Sequence, residues 1–513
     1  MVTGPSSPGL APLGLSRLGL SPMGLSPMGV SPLGDLARRA LPRDLARRAL
    51  PRDRIGLAVT GLSRSGKTVF ITSLVQNLLA LGQGLNTLPA LAARLQGDGE
   101  SRLVGVEVLP AGASDVPHFD LAAKRAALAA DSPAWPGRTQ DVATISLRLT
   151  IARPSGLGRR IGPRTLRLDI LDYPGEWLLD LPLLGQDFGT WSREALALLR
   201  DPARADLAAP FLTFLERQRG TARVEERLAR EGHALYRQAL ERCRSERGLR
   251  FLQPGRFLCP GPRGDLPLMW FYPDDTPGST LAERFEAYKA MVRSEFVAPY
   301  FAGFHRQVVL VDVLGALVAG QAAFEDTTRA LRAIGGALRY GSTGLLPAAA
   351  SLALRGLTHV VPPALGRPTR AAADRLGDPR IERVCFVATK ADHVPALKRD
   401  NLRHLLVAMA GQAVTAEATH LVAAALASTQ DGVARRDGRA VPVVNGVVMG
   451  EDRVRPFDVG EVPSALPPDS FWSDRFFELP VFRPPAIDPT GAAGMPHLGL
   501  DEVLVAAIGD LLA

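Results

Sequence analysis

The octapeptide Gly61-Leu-Ser-Arg-Ser-Gly-Lys-Thr68 constrains this chain more than any other stretch. The apolar run Ile55–Thr60 precedes it, and Val69-Phe-Ile-Thr-Ser-Leu-Val-Gln-Asn-Leu-Leu79 follows. It meets G-x-x-x-x-G-K-[ST] in full, with a strand before and a helix after, which is the setting that motif requires. In such a loop, backbone N–H groups and the helix N-terminus together offer positive potential to phosphate oxygens. Gly61 and Gly66 permit the tight turn, and the backbone of Ser63, Arg64, Ser65 and Val69 completes the cradle. Lys67 is expected to reach the β- and γ-phosphates and to act in catalysis, and the Thr68 hydroxyl to ligate Mg²⁺.

The remaining sequence fits a nucleotide-binding α/β protein. Strand patterns at Arg54–Thr60, Ala143–Ile151, Thr165–Leu171, Arg306–Val313, Ile381–Ala388 and Leu421–Ala427 alternate with helical ones, beginning with Lys67–Leu81. That order predicts a mostly parallel sheet flanked by helices. Apolar residues at every third or fourth position in Pro182–Arg200, Ala208–Arg219, Val224–Arg247 and Ala282–Ala298 predict a helical insertion. The expected division is therefore 54–178 and 305–513 for the sheet domain, with the insertion at 179–304. A β-hairpin addition is expected near 438–459 and an amphipathic helix at Leu500–Leu512. Residues 67–139 exceed what a minimal domain of this kind needs, and their pattern assigns no form to the surplus.

Residues 9–34 repeat a Gly- and Pro-containing pentapeptide, and DLARRALPR occurs twice, at Asp35–Arg43 and Asp44–Arg52. Gly and Pro at that frequency oppose both helix and strand, so residues 1–34 read as disordered. The two nine-residue units read as short, Pro-broken helices with a basic face at most, and the whole 1–53 tail as a non-functional extension, with a partner-binding arm as the alternative. The first residues lack the charged and apolar regions of a signal peptide, and no apolar run reaches the ~18 residues of a membrane span. The chain reads as cytoplasmic.

Sixty basic residues face 52 acidic ones, a net charge of +8. With no aromatics interleaved in a basic run, this reads as general surface charge, not a nucleic-acid site. Only five of the sixty are lysines: Lys67, Lys124, Lys289, Lys390 and Lys398. A lysine in so arginine-rich a chain marks a place for a compact point charge. Cys243, Cys259 and Cys385 stand far apart, without the spacing of a disulfide framework or a zinc site.

Two of those lysines fall in nucleotide motifs. Besides the loop at Lys67, Cys385-Phe-Val-Ala-Thr-Lys-Ala-Asp392 is a buried strand opening into T-K-x-D. The Asp392 carboxylate is suited to accept N1–H and the exocyclic amine of guanine, a pair that adenine does not offer. Lys390 would lay its stem over the base, Thr389 stands where Asn is commoner, and the Ser428 backbone N–H is the candidate for the last base contact. Between the two lies Asp172-Tyr-Pro-Gly175, a D-x-x-G that ends a strand. Asp172 is the expected Mg²⁺ carboxylate and Gly175 the γ-phosphate N–H, with Glu176 orienting the attacking water. A second D-x-x-G at Asp312–Gly315 is passed over, because Asp172 follows the strand expected beside the loop strand. Thr139 is the expected second hydroxyl ligand of Mg²⁺, with Thr144 as the alternative.

AVTGLSRSGKTVFITSLVQNLL, LDYPGEWLLDLPLL, RQVVLVDVLGAL and ATKADHV resemble the YcjX family of bacterial P-loop proteins, within the TRAFAC branch of P-loop GTPases. The resemblance runs from Arg54 to the C-terminus. It implies a GTPase-like domain carrying a helical insertion, and Mg²⁺-dependent GTP binding with hydrolysis to GDP. The family has also been described as predicted ATPases associated with stress response and often encoded beside a membrane protein. This implies a membrane-associated partner and a peripheral position at the inner membrane. G-L-x-R-x-G-K-[ST] is also similar to the loop of guanylate-binding, dynamin-like GTPases. That likeness implies that Arg64 serves as an internal arginine finger when two molecules pair as a homodimer. Two readings stand beside the GTPase: an ATP hydrolase, and a nucleotide-binding scaffold with little hydrolysis.

Overall fold

A computed structural model describes residues 54–512, except 98–99, 111–116, 131–132, 138–140, 154–161, 219, 221–222, 262–265, 302, 341–380, 412–417 and 474–478. The 1–53 tail and Thr139 therefore lie outside the described residues. Seven strands form the main sheet: β1 (Arg54–Gly61), β2 (Arg102–Val108), β3 (Ala143–Ala152), β4 (Arg164–Asp172), β5 (Arg306–Val311), β6 (Arg383–Ala388) and β7 (Ala418–Val422). Their spatial order is β2-β3-β4-β1-β5-β6-β7. The run from β4 to β7 is parallel, whereas β2, β3 and β4 pair antiparallel.

Both faces of the parallel part are covered, so its strands are apolar at nearly every position. Leu57 and Val59 of β1 face helix α1 (Lys67–Gly82) and its core, as do Val308 and Leu310 of β5. Ala58, Val309 and Val311 face the opposite way. Helix α2 (Pro89–Gly97) packs on the first side, while α3 (Leu121–Leu128) lies against α1 and caps itself with the Asp120 carboxylate. Together with β2, these two helices are the elements that the described residues between α1 and β3 form.

On the second side, the described residues between β4 and β5 hold no strand. They form α4 (Phe188–Leu199), α5 (Ala205–Arg217), α6 (Glu226–Glu246) and α7 (Leu281–Val292), the last running into a π-helical stretch, Arg293–Phe301. An aromatic cluster holds this layer: Trp191 stacks on Phe285 at 5.0 Å, and Phe271 meets both edge-on. Each ring of that size removes roughly 150–250 Å² from water, which makes the cluster a large source of apolar burial. The layer shares one continuous core with its face of the sheet.

Helix α8 (Val313–Val318) starts directly after β5, because the Asp312 carboxylate caps it through the Gly315 N–H at 2.9 Å. That cap ends β5 at Val311, two residues before the expected end. Helices α9 (Gln321–Tyr340) and α10 (Arg399–Ala410) flank β6 in sequence.

β7 corrects the expected strand Leu421–Ala427. It pairs only with β6, whose last residue, Ala388, stands opposite Val422, so no ladder remains for the alanines beyond. A separate antiparallel sheet contains β8 (Thr429–Arg436), β9 (Arg439–Val447) and β10 (Val454–Phe457), in the order β10-β9-β8. The β8–β9 turn is Asp437-Gly438, both with positive φ, the conformation that a two-residue hairpin turn of matching twist requires. β9 and β10 make the hairpin expected near 438–459, and β8 adds a third strand. The last helix, α11 (Leu500–Leu512), returns to the α1 side of the sheet. No helix among the described residues is long and apolar enough to cross a membrane.

Candidate nucleotide site

In a parallel sheet covered on both faces, ligands bind beyond the carboxyl ends of the strands. Here Val59 pairs with Asp172, Gly61 with Leu310, and Val311 with Ala388, which aligns the ends of β4, β1, β5 and β6 along one edge. A cavity of about 1180 Å³ opens there, and its wall includes the loop residues Ser63 to Val69 together with Glu176, Lys390 and Asp392.

The loop is drawn in on itself. Lys67 Nζ donates to the Gly61 carbonyl at 2.7 Å, and the Ser65 N–H donates to Leu62 at 3.1 Å. The Ser63 and Ser65 hydroxyls are buried without a hydrogen-bond partner among the described residues. Buried hydroxyls left this way carry a desolvation cost that an incoming acceptor would offset. Gly66, at φ 84°, turns the chain into α1, and Thr68 and Val69 are buried in its first turn. Arg64 adopts φ 67°, a region seldom occupied by residues with a side chain, and stands exposed at the cavity wall.

The segment after β4 lies directly on the loop. A Cβ on Gly175 would stand 2.1 Å from the Gly61 carbonyl oxygen, so only glycine fits. Asp172 is buried at the end of β4, beside the loop strand. Glu176 is buried too, and its carbonyl packs so closely on Gly255 that an added Cβ there would approach it to 1.8 Å. Asp180 takes the N–H of Gly255 at 2.7 Å and of Arg256 at 3.3 Å. Burial pushes its carboxyl up to about 6, against the pull of Arg256, Tyr288 and those two N–H groups. Arg256 in turn covers the Trp177 ring at 3.8 Å.

The far end of the edge is equally ordered. Asp392 Oδ2 accepts the Ser428 N–H at 2.8 Å, the Thr429 N–H at 3.2 Å and the Ser428 hydroxyl at 3.1 Å. The Ser428 N–H that the sequence suggests for the base is thus directed to Asp392, and the cavity wall nearby is Ala423–Leu426. Thr389 straps β6 to β5, with its N–H and its hydroxyl both on the Val311 carbonyl, at 2.9 and 3.3 Å. Lys390, at φ 60°, extends its ammonium to Asp312 at 2.5 Å. Asp312, the carboxylate of the second D-x-x-G, is therefore occupied by a helix cap and a lysine. Burial lowers the pKa of His393, whose Nε2 stands 3.0 Å from the Ser428 hydroxyl. Thr144 lies within β3 opposite Leu171, and neither Thr144 nor Asp172 is among the residues lining the cavity.

A family model for the YcjX-like family, DUF463, matches residues 55–512. The chain belongs to the YcjX-like family. It is 35% identical over 479 residues to the Ras-like GTPase YcjX of Escherichia coli (strain K12), covering 89% of this chain and 95% of that protein. It is also 32% identical over 492 residues to the Ras-like GTPase YcjX of Shewanella oneidensis, covering 89% and 94%.

In this YcjX-like chain the cavity has a wall that sequence motifs do not reach. Arg237 and Arg244 of α6, with Arg250, Cys259 and Gly261 beyond it, face the loop from the helical layer. Burial pushes the Cys259 thiol up to about 12, and Glu176, Arg244 and Lys67 all lie within electrostatic range of it. Trp135 lines the cavity and donates its indole N–H to the Phe482 carbonyl at 2.8 Å. The one advance signal is the spacing of Arg230, Arg237 and Arg244, seven apart on one helix face.

The donor set suits Mg²⁺. A buried hydroxyl on Thr68 and a buried carboxylate on Asp172 flank the loop, and Mg²⁺ takes one or two such oxygens while phosphates and water complete its shell.

Proposed function

We propose that this protein binds GTP with Mg²⁺ and hydrolyses it slowly to GDP and phosphate, as a nucleotide-dependent switch in a stress-related role. The observation that carries this is the joint lining of one cavity by Lys67 and Asp392. They follow β1 and β6, two strand positions apart, roughly 10 Å at the usual strand spacing. That span suits a nucleoside triphosphate lying along the sheet edge. The names of the two relatives support the guanine reading.

In this reading Asp392, steadied on one oxygen by Ser428 and Thr429, accepts guanine N1–H and its amine with its remaining lone pairs. Lys390, held by Asp312, lies over the base. At the other end Lys67 releases the Gly61 carbonyl and meets the β- and γ-phosphates, while Ser63 and Ser65 supply the loop. Thr68, Asp172 and Thr139 would hold Mg²⁺, which when bound neutralises charge on the β- and γ-oxygens. Gly175 directs its N–H to the γ-phosphate, and Glu176 orients a water. Water oxygen bonds to the γ-phosphorus as the bond to the β–γ bridging oxygen breaks. The electron pair leaves with GDP, and the water protons pass to phosphate and solvent.

Arg64 stands outside the buried set, which fits slow turnover by a single molecule and a finger role when two copies pair. A membrane-associated protein is the proposed partner, at the inner face of the membrane.

The test is parallel Mg²⁺-dependent binding of labelled GTP and ATP to wild type and Asp392→Ala. A site built on such hydrogen bonds discriminates by up to ~10⁴–10⁵, so a large GTP preference should vanish in the variant. Equal binding of both nucleotides, untouched by the substitution, would instead establish the ATP reading.

A further inference from the structure

Helix α6 carries three arginines on one face, and the first two are satisfied. Arg230 lies over the Trp270 ring at 5.3 Å, and Arg237 Nε pairs with Glu241 at 3.1 Å. Arg244 differs. Its Nε is buried without a hydrogen-bond partner, and it pairs with no carboxylate among the described residues. The polar group it meets is the thiol of Cys259, held neutral by burial. A guanidinium partly removed from water, with a thiol and no carboxylate at ion-pair distance among the described residues, is placed to receive an anion from the cavity.

The position selects which anion. Cys259 is also within electrostatic range of Lys67 and Glu176, so Arg244 shares its surroundings with the loop lysine and the residue after Gly175. The Trp177 indole, on the segment following β4, donates to the Cys259 carbonyl at 2.8 Å. The base-recognising group follows β6, on the other side of β1 and β5. Arg244 thus lies at the phosphate end, on the side where a triphosphate ends.

We propose that Arg244 is a catalytic residue supplied in cis by the helical layer, donating to the γ-phosphate oxygens and the β–γ bridging oxygen as charge builds on them. This rests on the GTP-hydrolysis reading. It assigns the unpaired-molecule activity to Arg244 and leaves Arg64, exposed on the loop, to act between two copies. In α6 the guanidinium is carried on a rigid element packed into the main core, the arrangement that transition-state donors need.

The experiment uses the full chain with Arg244→Ala, Arg244→Lys and Arg244→Gln. Single-turnover GTP hydrolysis is measured at a protein concentration below any self-association, with GDP affinity measured with and without aluminium fluoride. An arginine finger is worth ~10³–10⁵ in rate, so Arg244→Ala should lose at least about 10³-fold in turnover. GDP affinity should stay at the wild-type value, which also reports a folded site, and aluminium fluoride should no longer tighten it. Arg244→Lys should recover little, because an ammonium does not reproduce the planar fork. Wild-type turnover and wild-type fluoride response in Arg244→Ala would overturn the assignment. So would a fall in GDP affinity that accounts for the lost turnover in all three variants, since Arg244 would then only bind or brace the ground state. Failure of the wild type itself to hydrolyse GTP is read without any variant and removes the underlying reading together with this one.

Discussion

The two ends of the cavity are built in opposite ways. At the end proposed for the base the charged groups are already engaged: Asp392 holds two backbone N–H groups, and Lys390 rests on Asp312. At the phosphate end the groups are spent on the protein itself or on nothing. Lys67 sits on its own loop carbonyl, two serine hydroxyls are buried without partners among the described residues, and Arg244 meets a thiol. A pre-ordered end gives recognition at little ordering cost. An end whose contacts form only when the charge arrives can favour the transition state over the ground state. In the proposed function, recognition and chemistry are divided between two strand ends of one sheet.

The sharpest way to break this comparison is Lys67→Ala. Loss of one positioned donor at a developing charge costs on the order of 10²–10³ in turnover, while guanosine binding should be unchanged. If guanosine affinity falls in step, the ends are not separate.

A second test addresses Asp180, which fastens the phosphate-end segment to Gly255 and Arg256. Its carboxyl titrates near 6 in the folded chain because of burial. The unfolded chain loses that proton near 3.9, so between about pH 4 and 6 the folded state holds more protons. This contribution favours folding at low pH and is lost as pH rises through 6, by at most about 3 kcal/mol. Urea unfolding from pH 4 to 7 should show wild type weakening relative to Asp180→Asn. Parallel curves would mean that Asp180 stays ionised throughout.

The smallest effect belongs to the base end. Asp312→Asn removes the anchor of Lys390, whose side chain is 39% exposed, so solvent screens the pair. About 1 kcal/mol, or roughly fivefold in GTP affinity, is expected, with turnover at saturating GTP unchanged. A fall in saturated turnover would place Asp312 in the chemistry and blur the division.

How far the sequence reveals these ends follows from how local each one is. The loop from Gly61 to Thr68 is contiguous, and its strand–helix setting is written in the neighbouring residues. Asp172 and Asp392 are readable because one ends a buried strand and the other follows one by four residues. Asp312 is visible as a D-x-x-G, yet its task depends on Lys390 across the β5–β6 pair, a contact between residues far apart in the chain. Arg244 shows as one of three arginines on a helix face, but nothing local distinguishes it from Arg230 and Arg237. Strand β2 escapes because an antiparallel edge strand, half exposed, lacks the continuous apolar run of its parallel neighbours. The end of β7 is decided by where its partner stops, which no window on its own residues contains.

One contact described above bears on tempo. The Gly255 backbone touches the Glu176 carbonyl with no space for even a methyl group, and Asp180 binds the same turn a few residues on. The Glu176 backbone is therefore tied to its neighbour: shifting it by an ångström displaces a turn seated in the aromatic-rich helical layer. Backbone rearrangement here is then expected in the microsecond-to-millisecond class of collective movements, not the nanosecond class of free loops. The clock of this site is set by the mass it is bolted to.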